Sequence, residues 1–212
     1  MLEEHSPHEV DPPRQDFAER LAQWLGAADA VRLHAALPQG PVADIPHTLA
    51  ANALALHGQA AAEVARVRTA LSEVIAAQAA QALRDAPPEA EAGHTPHRQR
   101  HAESQRQMAL KIGPLRASVR QLVAQASPWL RQLALLDAAL EHTLGAREPG
   151  LMASVPWLLE RRCEHTRRAQ PPGWHTTAAN EVQTALQAEL EFRLQPVMGL
   201  LQAWHIEIEK HA

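Results

Sequence analysis

Apolar residues recur at intervals of three and four along most of this chain, and proline and glycine punctuate the stretches between them. That period predicts helices rather than strands. The most regular run closes the sequence. In ELEFRLQPVMGLLQAWHIEI, Leu190, Leu194, Val197, Leu201, Trp204 and Ile208 stand four, three, four, three and four residues apart, which predicts a helix over about 177–210 with one narrow apolar seam. Pro196 lies inside it and predicts a kink, since proline removes a backbone donor and crowds the preceding turn at about 3 kcal/mol. Such a seam suits either the inner face of a bundle or a helix pair between chains.

The same period predicts the other elements. No proline occurs between Thr48 and Arg84, where Val64, Val67, Leu71 and Val74 mark a second long helix cushioned by alanine. Met108, Ile112, Leu115, Val119 and Leu122 share a side of a third, with Gly113 and Pro114 placed to kink or split it. Ser127 and Pro128 have the residue types of an N-cap and first helical position, and SVPWLLERRCEHTRR repeats that arrangement further on. Phe17, Leu21, Trp24 and Leu25 share one helical face near the start, and a short helix over about 28–37 follows the break at Gly26. Residues 1–14, polar and acidic with consecutive prolines, predict a mobile arm. PQGPVADIP predicts a loop, and DAPPEAEAGHTPH, residues 85–97, an internal turn or linker. No segment alternates as a strand would. The expectation is an all-α fold: an elongated helical bundle of long antiparallel hairpins with short accessory helices, forming a single helical domain over 15–212.

Composition narrows the picture. At 212 residues one domain is expected, and hydrophobic residues reach 46%, much of it alanine, while aromatics are 3% with no Tyr, a balance that favours close-packed helices. Cys163 is the single cysteine, which excludes an internal disulfide and a cysteine-cluster zinc site. The start lacks a basic end followed by an apolar run, and no stretch approaches ~18 uninterrupted apolar residues. A soluble, cytoplasmic protein with no membrane insertion of its own is therefore expected.

The net charge of −4 is mild, but the charges are segregated. From Arg98 to Arg131 the basic residues Arg98, Arg100, Arg106, Lys111, Arg116, Arg120 and Arg131 face one acid, Glu103. On an unbroken helix Arg98, Arg106, Arg116 and Arg120 fall within about an 80° arc beside the apolar face, a stripe ~33 Å long. Arg161, Arg162, Arg167 and Arg168 form a second cluster around Cys163 and Glu164, whereas residues 1–63 hold three Arg against nine acids. Three readings fit: charges that solvate helix faces and pair across the bundle, contacts to double-stranded DNA, or contacts to an acidic protein partner.

Catalytic chemistry finds little footing. His97 and His101 are four apart with His94 nearby, but no acidic or sulfur ligand stands at a useful spacing, so no metal is expected. Cys163 and His165, Glu189 and Glu191, and Glu207 and Glu209 are each two apart, so each pair diverges on a helix. Phosphate-binding glycine loops, an H-E-x-x-H helix and a G-x-S-x-G elbow are missing. No catalytic residue and no cofactor is assigned.

Four segments, FAERLAQWLGAADAVRLHAAL, QRQMALKIGPLRASVRQLVAQASPWLRQLALLDAALEHTLGARE, LMASVPWLLERR and AELEFRLQPVMGLLQAW, occur in order over most of the chain. Together they resemble a family of proteobacterial proteins of similar length classed as a domain of unknown function. Members of that family resemble components encoded beside MotA/TolQ/ExbB-like proton-driven stators and OmpA-like peptidoglycan binders, the setting of Zorya anti-phage defence systems of a type III-like kind. The resemblance implies a non-enzymatic accessory or effector subunit in the cytoplasm, recruited to the inner membrane by a motor complex. Its implied partners are a second accessory protein of the same operon and the cytoplasmic side of the motor. Double-stranded DNA on the basic helix face and a homo-oligomer remain further candidates. A nuclease or nickase effector and a purely structural scaffold are the alternatives.

Overall fold

The structure, a computed structural model, describes residues 25–37, 45, 48–84, 95–145, 154–169 and 173–211, and the side chains of all of these except 95–98. The arm over 1–14, the face of Phe17, Leu21 and Trp24, and most of the loop and linker stretches lie outside the described residues. Six helices account for nearly everything described: α1 (Ala27–Ala36), α2 (Ala53–Arg84), α3 (Thr95–Ala126), α4 (Pro128–Leu144), α5 (Ser154–Ala169) and α6 (Trp174–Glu209). Among the described residues there is no strand, as the periodicity predicts.

Three long helices make the frame. At 1.5 Å per residue the 36 residues of α6 extend ~54 Å, and the 32 residues each of α2 and α3 extend ~48 Å. α2 runs antiparallel to both of its neighbours. His57 meets Leu201 at one end and Ser72 meets Gln187 nearer the other. Against α3, the amide of Ala50 donates to Ala126 (2.8 Å), while Gln78 meets Ser104 near the far end. α3 and α6 are therefore parallel to each other.

Leu71 and Ile75 of α2, Met108, Val119 and Val123 of α3, and Leu190, Leu194, Val197 and Trp204 of α6 fill the space between. Burying each side chain of this size is worth about 1.5–3 kcal/mol, which is what holds marginally helical, alanine-rich segments in place.

The short helices attach at the sides. Ser127 is the only residue between α3 and α4; its Oγ accepts from the amide of Leu130 (3.0 Å), and Pro128 follows at the first helical position, as those residue types predict. α4 then folds back along α3. α1 packs on α4, where Gln132 donates to the carbonyl of Ala36, and α5 lies against α6 and α3.

Several boundaries differ from the expectation. α3 begins at Thr95, inside the stretch expected to be a turn, and Thr95 with Pro96 are residue types that start helices. α3 also continues through Gly113 and Pro114 without splitting, as α6 continues through Pro196. In each case the residue one turn earlier, Leu110 or Phe192, is on an exposed face, so the carbonyl that loses its helical donor is turned toward water. In α2, Val67 and Val74 are half-buried while Ala60 and Ile75 sit in the core, and in α3 Val123 takes the buried place expected of Leu122.

Two truncations test the core. Leu194→Ala should cost about 2–5 kcal/mol and Trp204→Ala about 3–5 kcal/mol in urea unfolding, since both sites are closed to solvent and flanked by helices that cannot collapse onto the gap.

Candidate functional site

The final seam lies inside the chain's own bundle. Leu190, Leu194, Val197, Leu201 and Trp204 are buried against α2 and α3, and Ile208 is half-buried at the end. The rings of Trp204 and His57 are T-shaped to one another, 5.3 Å between centroids and 89° between planes. The Nε2–H of His57 donates to the carbonyl of Leu201 (3.2 Å), which ties α2 to α6 beside that ring.

The expected basic stripe is divided by its partners. Arg116 reaches Asp137 of α4 with two bonds, Nε to Oδ2 at 3.0 Å and Nη2 to Oδ1 at 2.6 Å. Arg120 donates to Asp137 Oδ2 at 3.0 Å and also to Glu141. Burial disfavours the charge on Arg120, but its bonds to Asp137 and Glu141 outweigh that and hold its pKa above the ordinary arginine value. Two guanidinium groups thus face two carboxylates in the seam between α3 and α4. The arc beside the apolar face is the flank that α4 covers, which is why half of the stripe is turned inward. Arg106 is exposed and pairs with Glu103 (2.8 Å), and Lys111 is exposed. Arg100 is half-buried and lines a small cavity beside His101, Arg131 bonds the carbonyl of Ala124, and the side chain of Arg98 lies outside the described residues.

The second arginine cluster has a different character. Trp157, Leu158, Arg161, His165 and Arg168 fall within about a 100° arc of α5, and all five are exposed. The guanidinium of Arg161 sits 4.9 Å over the ring of Trp157. Arg162 pairs with Glu181 of α6 (2.9 Å), which fastens the helix, and Arg168 pairs with Glu164 (2.5 Å). Arg167 turns inward, where its buried Nε has no hydrogen-bond partner. Cys163 is buried beneath this face; burial first and Glu181 second push its thiol up, which disfavours the thiolate.

A buried polar cluster between the three long helices was not foreseen. Glu189 of α6 is 5% exposed, with Oε1 accepting from Arg193 (2.8 and 2.9 Å) and Oε2 from Gln105 (3.0 Å). His101 of α3 is 2% exposed, its Nε2 is 3.9 Å from Glu189, and neither ring nitrogen has a hydrogen-bond partner. Ser104 beside it bonds Gln78 of α2. Burial lowers the pKa of His101, and the opposing pull of Glu189 does not compensate, so the ring is neutral. The sequence carried one signal: Glu189 adjoins Leu190 of the apolar seam, with Arg193 four residues on at the spacing of a helical ion pair.

These features define a class, a helical bundle with internal ion pairs and one exposed basic and aromatic helix face. The chain belongs to the DUF3348 family, described as protein of unknown function, whose model matches residues 1–206. No curated protein and no solved structure matches it.

Two measurements probe the internal charges. Asp137→Asn should lower stability by about 2–3 kcal/mol, because it leaves Glu141 as the one carboxylate facing two guanidinium groups that are mostly closed to water. For His101, the folded chain binds the proton less readily than the unfolded one, so stability is full above the ordinary imidazole value of about 6.5 and falls as pH drops below it. Thermal melts of His101→Leu between pH 7.5 and 5 should therefore slope less steeply than those of the wild type.

Proposed function

We propose that this chain is a cytoplasmic accessory subunit of a proton-motor-linked, Zorya-type anti-phage defence system, without catalysis of its own, that docks a partner protein through the outer face of α5. The defence setting rests on the resemblance of the four segments quoted above. The docking surface rests on one observation: Trp157, Leu158 and Arg161 stand together in solvent on a helix whose other side is fastened to the bundle. Tryptophan and arginine are the residues that most often dominate protein interfaces, because each combines a large rigid contact area with directed hydrogen bonding. The partner this face suits is an acidic surface with an apolar pocket, on the second accessory protein of the operon, through which the motor recruits the subunit to the inner membrane.

Double-stranded DNA is the weaker reading for α3. Arg116 and Arg120 are already neutralised by Asp137 and Glu141, and a phosphate backbone would have to compete with those bonds.

The test is a triple variant confined to the exposed face, Trp157→Ala, Arg161→Glu and Arg168→Glu, which leaves the Arg162–Glu181 pair in place, expressed with the rest of the operon. Co-purification of the second accessory protein should be lost and phage protection abolished, with helix content unchanged by circular dichroism. Loss of the Trp157 anchor alone should weaken the complex by about 2 kcal/mol, roughly thirtyfold in Kd. Salt-sensitive binding of duplex DNA by the isolated chain that survives this variant would refute the α5 assignment and return attention to Arg106 and Lys111. Nicking of plasmid DNA with magnesium or manganese would refute the non-enzymatic part.

A further inference from the structure

One end of the bundle is held differently from the rest. The last buried residue of α2 is Ile75, and from Gln78 to Arg84 its side chains are half-buried or exposed. α3 faces this stretch with His101 and Ser104, both buried, and the Ser104 hydroxyl donates to Gln78. Peeling away the last two turns of α2 therefore breaks that bond and uncovers the half-buried Ala79 and Ala82, a small change beside opening the core around Leu194 or Trp204. A cavity of about 20 Å³ lies beneath the same turns, walled by Gln78, Ala79 and Ala82 of α2, His101 of α3, and Val182 and Gln183 of α6. That is room for one water and too little for an organic ligand. The His101 ring lines it, closed to solvent, with neither nitrogen hydrogen-bonded.

The charges around the ring decide what a proton does there. α2 brings none, since its wall of the cavity is Ile75, Gln78, Ala79 and Ala82. α3 brings Arg100, which lines the same cavity. α6 brings Glu189, 3.9 Å from Nε2, but the oxygens of Glu189 already accept from Arg193 and Gln105. Glu189 and Arg193 offset each other, so a proton on His101 adds positive charge between three helices, with a guanidinium already on the cavity wall. Burial accordingly weakens the hold of the closed ring on a proton by more than Glu189 strengthens it. Once the end of α2 moves aside, water solvates the charged ring.

We propose that His101 is an acid-sensitive latch, whose protonation releases the last two turns of α2, Gln78–Arg84, from α3 and α6 while the rest of the bundle stays closed. The open ring titrates at the ordinary value of about 6.5 and the closed ring below it, so opening is suppressed above that pH and grows as pH falls through it. The latch requires nothing of the α5 face.

Hydrogen exchange of the full chain, corrected for the intrinsic rate at each pH, reads this opening directly. The amides of residues 79–84 should exchange through an opening more frequent than that of core amides such as Leu194. Its equilibrium constant should rise severalfold between pH 7.5 and 5.5, with a ceiling of about tenfold for one group that titrates at 6.5 when open. His101→Gln keeps a neutral hydrogen-bonding side chain and His101→Leu an apolar one; both should hold the constant level over that range. Three results overturn the proposal: a constant that does not change with pH in the wild type, a rise that persists in both variants, or exchange of residues 79–84 at the same opening frequency as the core.

Discussion

Small residues on α2 determine how near the three long helices come to one another, and the rest of the bundle follows from that approach. Ala53 and Ala60 are buried close to either side of His57, and the imidazole between them stands at right angles to Trp204 while bonding the backbone of α6. A larger residue at either alanine would push α2 outward and open a gap around an indole that makes its stability contribution only when closely surrounded. The alanine-rich composition is therefore a packing requirement rather than filler. It lets one wide ring stand in for several medium-sized side chains near one end of the core.

Toward the other end, and along the side, the bundle uses polar groups in two different ways. Between α3 and α4 the charges are kept: Arg116 and Arg120 share Asp137 and Glu141, so each ion has several partners and the cost of removing it from water is offset by multiple bonds. Between α3 and α6 one ionic centre, Glu189, is fully engaged by Arg193 and Gln105, and His101 beside it stays neutral and unbonded. The first arrangement fixes the pairing of two helices at a chosen register. The second leaves a group in the core whose proton affinity is set by its surroundings.

The helical fold was legible because apolar spacing reports directly on which side of a helix is dry. Leu190 through Trp204 illustrate it, each buried where the interval of four and three places it. Prolines were harder to read, since the rule that proline interrupts a helix says nothing about which way the freed carbonyl faces, and at Pro114 and Pro196 it faces out. Charge was hardest. The arc of Arg116 and Arg120 was visible along one helix, but their meaning depends on Asp137 and Glu141 of another, 17 to 25 positions on, and spacing within a segment carries no record of which segments touch. The exposed Trp157 likewise looks like core material in sequence, because an aromatic at a helical interval is usually inside.

One joint has mechanical implications. Ser127 alone connects α3 to α4, its hydroxyl is occupied by the amide of Leu130, and the carbonyl just before it holds the amide of Ala50. A connection of one residue with both neighbours hydrogen-bonded has no slack to hinge. α4 is therefore a rigid outrigger of α3, bolted again further along by Asp137 and Glu141, and α1 rides on it. Torque applied to that outrigger cannot be absorbed locally. It is delivered as rotation of α3, whose opposite face is the wall of the core.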